Sequence, residues 1–124
     1  GSDPNTAIYE TKMINLEFIS NSLFVQFDGH REKEGDIRVF YKLLRGDGDD
    51  SNTNYIPFNT NGSSDKPVNS NKNRNSFSEY QFTEENTPIF KQFMIKVVMT
   101  STNQAKPPRI KNFRAIALRS FQIE

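Results

Sequence analysis

Short alternations of apolar and polar residues, with a period of two, restrict the fold of this chain more than any other feature. Leu23, Val25 and Phe27 alternate with polar residues, and a longer alternation covers residues 37–43. Successive side chains of a β-strand point to opposite faces, so this pattern predicts half-buried strands. No stretch of ten residues shows helical periodicity. The sequence therefore predicts an all-β antiparallel sandwich, with a small barrel and a partly disordered α+β domain as alternatives.

Further strand patterns occur on both sides of these two. Tyr80 and Phe82 share a face, and residues 93–99 alternate throughout. Residues 110–118 are interpreted as the last strand, with a bulge near Phe113 that shifts its alternation. Residues 12–16 predict a short first strand. The polar segment 28–36 contains two glycines, which predicts a hairpin that joins the strands on either side of it.

Residues 46–76 differ from the rest in composition, because Asn, Ser, Asp and Gly dominate and apolar side chains are few. Such a stretch buries too little apolar surface to offset its conformational entropy along its whole length. We expect a polar insertion loop that projects from the sandwich, with Tyr55 and Phe58 either pinning it to the sheet or contacting a partner. Gly1 and Ser2 are interpreted as the remainder of a cleaved expression tag, and residues 3–124 as one domain.

Composition excludes several classes of chemistry. The 124 residues include no cysteine and one histidine, so disulfides, thiolate metal sites and multi-histidine metal sites are excluded. The formal net charge is +1, which gives no overall field for a nucleic acid or a membrane surface. Only 34% of residues are hydrophobic, and no apolar run approaches the length of a transmembrane helix. Neither a signal peptide nor a membrane partner is predicted.

No catalytic residue, metal ligand or cofactor is predicted. His30 lies in the expected hairpin turn and is interpreted as a solvated turn residue. The carboxylates of Glu32, Glu34 and the pair at residues 84–85 are sequence neighbours, which do not face each other across a scissile bond. The acidic residues Asp47, Asp49 and Asp50 depart from a calcium-loop pattern, so tight calcium binding is not expected.

Candidate binding residues come from the aromatic and basic side chains. Phe40 alternates with the core-facing residues and lies between Arg38 and Lys42, which makes it a candidate exposed platform for a sugar or a protein. Tyr55 and Phe58 of the insertion are the other candidates. Residues 106–119 include five basic and no acidic residues, which is typical of a solvated strand and loop, with a basic patch for an acidic protein or glycan as the alternative.

Six segments together carry a family resemblance. These segments are residues 9–12, 22–31, 35–44, 79–82, 93–99 and 108–118. For all but residues 22–31 the family patterns are, in chain order, Y-x-T-K, D-I-x-V-Y-Y-K-x-L, E-Y-x-F, F-x-I-K-I-V-M and P-x-I-K-D-x-R-x-I-A-L. The chain resembles a domain found in virion structural proteins of large contractile-tailed phages, notably those of marine cyanobacteria. It departs from the pattern at Phe40, where tyrosine is commoner, and at Asn112, where aspartate is commoner. The final strands also resemble the end of galactose-binding-like jelly rolls, a likeness of fold alone.

The resemblance implies a jelly-roll-like sandwich in a tail, baseplate or fibre. The expected function is that of a non-enzymatic structural and interaction module, located in the virion and assembled in the host cytoplasm. Its expected partners are other virion proteins or further copies of itself. The alternative is a carbohydrate-binding module that recognises host-surface glycans.

Overall fold

The computed structural model describes residues 5–48, 54–102 and 106–119, and these residues form eight strands and one short 3-10 turn. The strands are β1 (Asn5–Glu10), β2 (Ile14–Ser20), β3 (Ser22–His30), β4 (Gly35–Leu44), β5 (Ile56–Pro57), β6 (Ser78–Glu84), β7 (Phe90–Ser101) and β8 (Arg109–Leu118). The turn covers Phe58–Thr60. Every paired strand is antiparallel to its neighbour.

The strands form two sheets. In the first, sheet A, strands β1 and β2 follow each other along one edge of β7, and β4 and β5 continue the sheet on the other side. In the second, sheet B, the order is β6-β3-β8. The prediction of an all-β antiparallel sandwich is confirmed, whereas the jelly-roll connectivity stays a prediction. The strand at residues 5–10 is not among the predicted ones.

The core lies between the two sheets and contains most of the side chains that the alternation assigned to the inward face, together with Phe58 and Phe90, which it did not assign. Its fully or almost fully buried members are Leu23, Val25, Phe27, Ile37, Val39, Tyr41, Phe58, Tyr80, Phe82, Phe90, Phe93, Ile95 and Val97. Their burial supplies most of the apolar stabilisation of the domain. The faces predicted for β3, β4, β6 and β7 are therefore confirmed.

The predicted hairpin between residues 28 and 36 is wrong. Strand β3 belongs to sheet B and β4 to sheet A, so the short connection between them crosses from one sheet to the other. Within it, the amide of Gly35 donates to the carbonyl of Glu32 at 2.9 Å. Alternation predicts which side chains are buried, but two strands with inward apolar faces can either pair or face each other across a core.

The predicted bulge in the last strand is confirmed. Gln26 lies opposite Arg114 and Asp28 opposite Lys111, so that Phe27 alone faces Asn112 and Phe113. Asn112 has a φ of 56°, a left-handed conformation that Asn tolerates better than most residues. The extra residue turns Phe113 and the following odd-numbered positions toward the core, with which Phe113 packs.

Residues 54–76 do not project from the sandwich, contrary to the prediction, but lie against one side of it. We call this segment the strap. It adds β5 to the edge of β4, and the carbonyl of Gly62 accepts a hydrogen bond from the amide of Val39 at 2.9 Å. It also covers β6, because the amide of Asp65 donates to the carbonyl of Gln81 and its carboxylate accepts from the amide of Thr83. The neighbouring residues 49–53, part of the predicted insertion, lie outside the described residues.

Candidate functional site

Four of the five predicted binding residues share the outer face of sheet A. Arg38, Phe40 and Lys42 alternate with the buried residues of β4 and therefore point away from the core. Tyr55 immediately precedes β5, whose register with β4 pairs Pro57 with Phe40. This register carries Tyr55 to the outer face beside Lys42.

The aromatic rings of this face are in contact with ammonium groups. The Nζ atoms of Lys42 and Lys96 lie 4.5 Å and 4.4 Å from the centroid of the Tyr55 ring. The same Lys96 Nζ lies 5.1 Å from the centroid of Phe40. These are cation–π distances, so the cations occupy ring surface that a ligand would otherwise use.

Glu10 completes the group. Its carboxylate accepts a hydrogen bond from the Tyr55 hydroxyl, and its position in β1 lies directly opposite Lys96 in β7. Burial, the hydrogen bond to Glu10 and the negative charge of Glu10 all raise the pKa of Tyr55 above its ordinary value. We call Glu10, Phe40, Lys42, Tyr55 and Lys96 the aromatic–cation group.

Neither Glu10 nor Lys96 was among the predicted site residues. Glu10 lies in a strand that the alternation did not reveal, and Lys96 adjoins Phe40 only through the pairing of β4 with β7. Sequence spacing carries no signal for either neighbour, because both contacts depend on the register between strands.

Arg38 is held by its surroundings. Its Nε donates to the carboxylate of Asp36 at 2.6 Å, and its Nη1 donates to the carbonyl of Asn61 at 3.0 Å. The guanidinium thus links β4 to the strap. It is half-exposed and can still offer its remaining N–H groups to a partner.

The prediction that Phe58 contacts a ligand directly is wrong, because its side chain is completely buried. Its ring centroid lies 4.8 Å from that of Tyr41 and 5.6 Å from that of Phe82. Of the two roles expected for Phe58, the structure assigns it the first: it anchors the strap in the core.

His30 is also placed differently from the prediction. It ends β3 rather than lying in a solvated turn, and only 3% of its surface is exposed. Its Nδ1 lies 2.7 Å from the carbonyl oxygen of Ser76, and its Nε2 lies 3.4 Å from Glu32 Oε1. Since the carbonyl can only accept, Nδ1 carries a proton in this hydrogen bond.

A cleft of about 550 Å³ adjoins His30 at one end of the sandwich. We call it the basic cleft, because its described lining contains four basic side chains and one carboxylate: Lys72, Arg74, Lys106, Arg109 and Glu32. Two of the five basic residues in the 106–119 segment therefore meet two basic residues of the strap. Arg114 of the same segment lines a different, smaller cavity over sheet B.

Within the ranges 5–48, 54–102 and 106–119, no group of three or more metal-ligating side chains could hold a metal ion. Asp47 is described and exposed, whereas Asp49 and Asp50 lie outside the described residues. The same ranges contain no helix long and apolar enough to cross a membrane.

The fold and its surfaces define an all-β antiparallel sandwich with a strap along one side, an aromatic–cation group on one face and a basic cleft at one end. Comparison with protein-family models, with curated proteins and with solved structures yields no match for this chain.

Proposed function

We propose that this chain is a non-enzymatic structural module of a phage tail, baseplate or fibre, and that it binds a neighbouring virion protein or a second copy of itself along β8. The observation that carries the proposal is a difference between the two sides of the sandwich. The strap covers the edges of β4 and β6 on one side, whereas no described strand pairs with the outer edge of β8 on the other.

The strap protects the side on which β4 and β6 lie. The backbone of the strap and the Asp65 carboxylate form hydrogen bonds with groups of both strands that would otherwise be unpaired. Exposed edges template pairing with other chains, and proteins generally cover the ones that must stay unpaired. The strap is therefore consistent with a side that remains free in the assembled protein.

On the opposite side, strand β8 is ten residues long and, among the described residues, pairs only with β3, although β2 lies close to part of it. The backbone groups of its outer edge are therefore unpaired with any described strand and can accept one from a partner. Ile116 and Leu118, which point away from the core, are 55% and 51% exposed. A long, uncovered edge strand with exposed apolar residues favours strand addition by a partner.

The resemblance supplies the setting. One of its segments, residues 108–118, covers the whole of β8, and the implied role in a virion requires contacts between copies or between different structural proteins. Tail and baseplate assemblies consist of many such contacts. The edge of β8 and the resemblance thus support one proposal from independent directions.

The glycan alternative receives less support at Phe40. A sugar ring needs an open aromatic surface, whereas Lys96 lies over Phe40 and two lysines contact Tyr55. Cations of this kind compete with the C–H groups of a sugar for the same ring faces. The outer face of sheet A is better suited to a protein surface that supplies carboxylates to these lysines.

Lysine-directed cross-linking of intact virions tests the proposal. Lys111 lies exposed on β8, and Lys66 lies exposed on the strap. We expect Lys111 to form cross-links to another chain and Lys66 to form few. Peptides of this chain missing from purified virions, or cross-links concentrated at Lys66, would contradict the proposal.

Charge introduced at the edge provides a second test. The double variant Ile116→Lys/Leu118→Lys should reduce the association of the domain in sedimentation velocity experiments, because lysines on an edge strand oppose pairing. The matched control is Ile56→Lys/Ile89→Lys, which alters two isoleucines of 47% and 45% exposure elsewhere. Equal effects of the two double variants would show that β8 has no special role.

A further inference from the structure

We infer that the basic cleft binds a saccharide that carries phosphate or sulfate esters. The inference does not depend on the proposed contact along β8, although the first residue of that strand lines the cleft. Two parts of the chain supply the cations: Lys72 and Arg74 come from the strap, Lys106 precedes β8, and Arg109 begins it.

The cleft has a surplus of positive charge. Four basic side chains line it, and among the described residues Glu32 supplies the one carboxylate in the lining. No carboxylate of the described residues lies within 4.0 Å of any of the four cationic groups. Like charges that converge on one cavity repel each other, and a bound oxyanion would relieve that repulsion.

Hydrogen bonds and ring contacts hold the walls of the cleft in place. The nearly buried imidazole of His30 is fixed to the carbonyl of Ser76. Arg109 donates from Nη2 to the carbonyl of Arg74, and its guanidinium carbon lies 5.2 Å from the centroid of Phe77. The guanidinium is thereby oriented while other N–H groups stay available to an anion.

The size and lining of the cleft indicate the class of ligand. A volume of about 550 Å³ falls within the range of sites for organic ligands and exceeds what one small oxyanion fills. Among the described residues of the lining, Pro107 is the one apolar residue, so they offer an acidic peptide no further apolar anchor.

A nucleic acid fits less well. The Phe77 ring beside the cleft is engaged by Arg109 and by Lys111, whose Nζ lies 4.1 Å from the ring centroid, and this leaves no free platform for a base. A saccharide offers hydroxyl groups throughout and tetrahedral oxyanions at its ester positions. It matches the polar lining and the positive charge at once.

Calorimetric titration of the whole chain with a sulfated hexasaccharide and with its unsulfated parent tests this inference. We expect binding of the sulfated form that weakens as salt is raised, and much weaker binding of the parent. The double variant Lys72→Glu/Lys106→Glu should lower the affinity by about tenfold or more, because two favourable charges become unfavourable. Both lysines are exposed, so thermal melting should show that the variant folds.

The matched control is Lys12→Glu/Lys91→Glu, which changes the net charge equally at two exposed lysines outside the cleft lining. An equal loss of affinity in both double variants would show that the saccharide responds to the net charge of the protein and not to the cleft, and would overturn the inference. Hexaglutamate, a single-stranded oligonucleotide and inorganic pyrophosphate serve as rival probes. If any of them binds as tightly as the sulfated hexasaccharide, the saccharide assignment is overturned.

A phosphorylated hexasaccharide distinguishes the two kinds of ester. Tighter binding of the phosphorylated form would assign the natural ligand to phosphate esters, and tighter binding of the sulfated form to sulfate esters. Amide chemical shifts provide an independent readout: on titration they should change mainly at residues 72–77, Lys106 and Arg109. Changes confined to β4 and β7 would place the ligand on sheet A and overturn the inference.

Discussion

The hydroxyl of Tyr80 shows at the residue scale how one buried polar atom bears on stability. Tyr80 is 3% exposed, and its hydroxyl makes no well-formed hydrogen bond with a described residue, although the guanidinium of Arg31 lies close enough to interact with it. Its ring packs so closely on Gly29 that a Cβ there would meet Tyr80 Cε1 at 2.6 Å. Burial raises the pKa of Tyr80, Asp36 adds to this effect, and the nearby guanidinium of Arg31 opposes it.

Replacing Tyr80 with phenylalanine should leave stability unchanged or raise it slightly. A buried hydroxyl with only a poorly aligned contact to Arg31 loses its hydration and gains little in return. The expected change in the free energy of unfolding therefore lies within about 1 kcal/mol of zero, on the stabilising side. Urea unfolding of Tyr80→Phe at neutral pH measures it. A loss of more than about 1 kcal/mol would show that the hydroxyl has a partner in solution.

The same variant should also change the alkaline limb of the stability profile. Burial holds the folded-state pKa of Tyr80 above the ordinary value of a tyrosine, about 10, so the unfolded chain releases this proton first as the pH rises. The stability that the folded state gains from holding this proton is fully present below about pH 10 and is lost as the pH rises through the folded-state pKa. Tyr80→Phe should therefore lose less stability above pH 10 than the wild type. Identical alkaline profiles would contradict the assignment.

Phe58 tests the other consequence of burial. Phe58→Ala should lower the free energy of unfolding by roughly 3–5 kcal/mol, because a buried ring is replaced by a cavity beside Tyr41 and Phe82. Phe18→Ala is the control, since Phe18 is 77% exposed and should change stability by no more than about 0.5 kcal/mol. Similar losses for the two variants in urea unfolding would be inconsistent with Phe58 as a core residue.

At the element scale, the bulge at Asn112 sets the register of β8. Asn112→Val should destabilise the domain by about 1–2 kcal/mol, because the left-handed backbone is unfavourable for residues with a Cβ and most of all for branched ones. Asn112→Gly should cost less, since glycine adopts this conformation freely and loses only the hydrogen bond from Asn112 Nδ2 to Asp28 Oδ2. Thermal melting of both variants makes the comparison, and the reverse order would be evidence against the bulge.

The elements also show what the sequence could predict. A period of two predicted the inward faces of β3, β4, β6 and β7, and a break in that period predicted the bulge, because burial acts on every second side chain. Pairing was not predictable in the same way. The assignment of β3 and β4 to different sheets depends on long-range contacts, and β1 was missed because its short alternation is weak.

Composition misled the interpretation of the strap for a physical reason. Its Asn and Asp side chains act as substitutes for backbone groups: Asp65 accepts from the amide of Thr83, and Asn71 Oδ1 accepts from the amide of Arg31 at 3.1 Å. A high content of Asn and Asp predicts turns and disorder. The side chains of the same residues can nevertheless supply hydrogen-bond acceptors to the unpaired backbone amides of an edge strand. The basic cleft was not predictable from the sequence either, because Lys72 and Arg109 are distant along the chain and line one cleft only through the way in which the strap packs on the sandwich.

At the scale of the whole molecule, the strap, the open edge and the basic cleft form one arrangement. Arg31 ties the strap to the β3–β4 connection: its Nη2 donates to the carbonyl of Val68 at 2.6 Å, and its carbonyl accepts from the amide of Asn71. The strap covers one side of the sandwich and supplies half of the cations of the cleft. The side that carries β8 is left for assembly. The two proposed contacts meet at β8: Arg109 at the start of the strand lines the cleft, whereas the exposed Ile116 and Leu118 lie at its other end.

Replacing residues 54–76 with a Gly/Ser linker of equal length tests this arrangement. Equal length keeps the entropy of loop closure nearly constant, so the variant removes contacts alone. It deletes the buried ring of Phe58, which contributes roughly 3–5 kcal/mol, from a domain whose total stability is expected to be about 5–15 kcal/mol. It also uncovers the edges of β4 and β6. We expect a large fall in melting temperature and concentration-dependent aggregation, measured by circular dichroism and light scattering.

A second linker that retains Phe58 and Asp65 at their positions separates the two effects. It should recover most of the lost stability, because it restores the core ring and the cover on β6, while binding of the sulfated hexasaccharide stays weak for want of Lys72 and Arg74. Cooperative unfolding of the first linker variant at the wild-type temperature would contradict this account. The strap would then be an accessory loop, and the sandwich would need only the strands on either side of it.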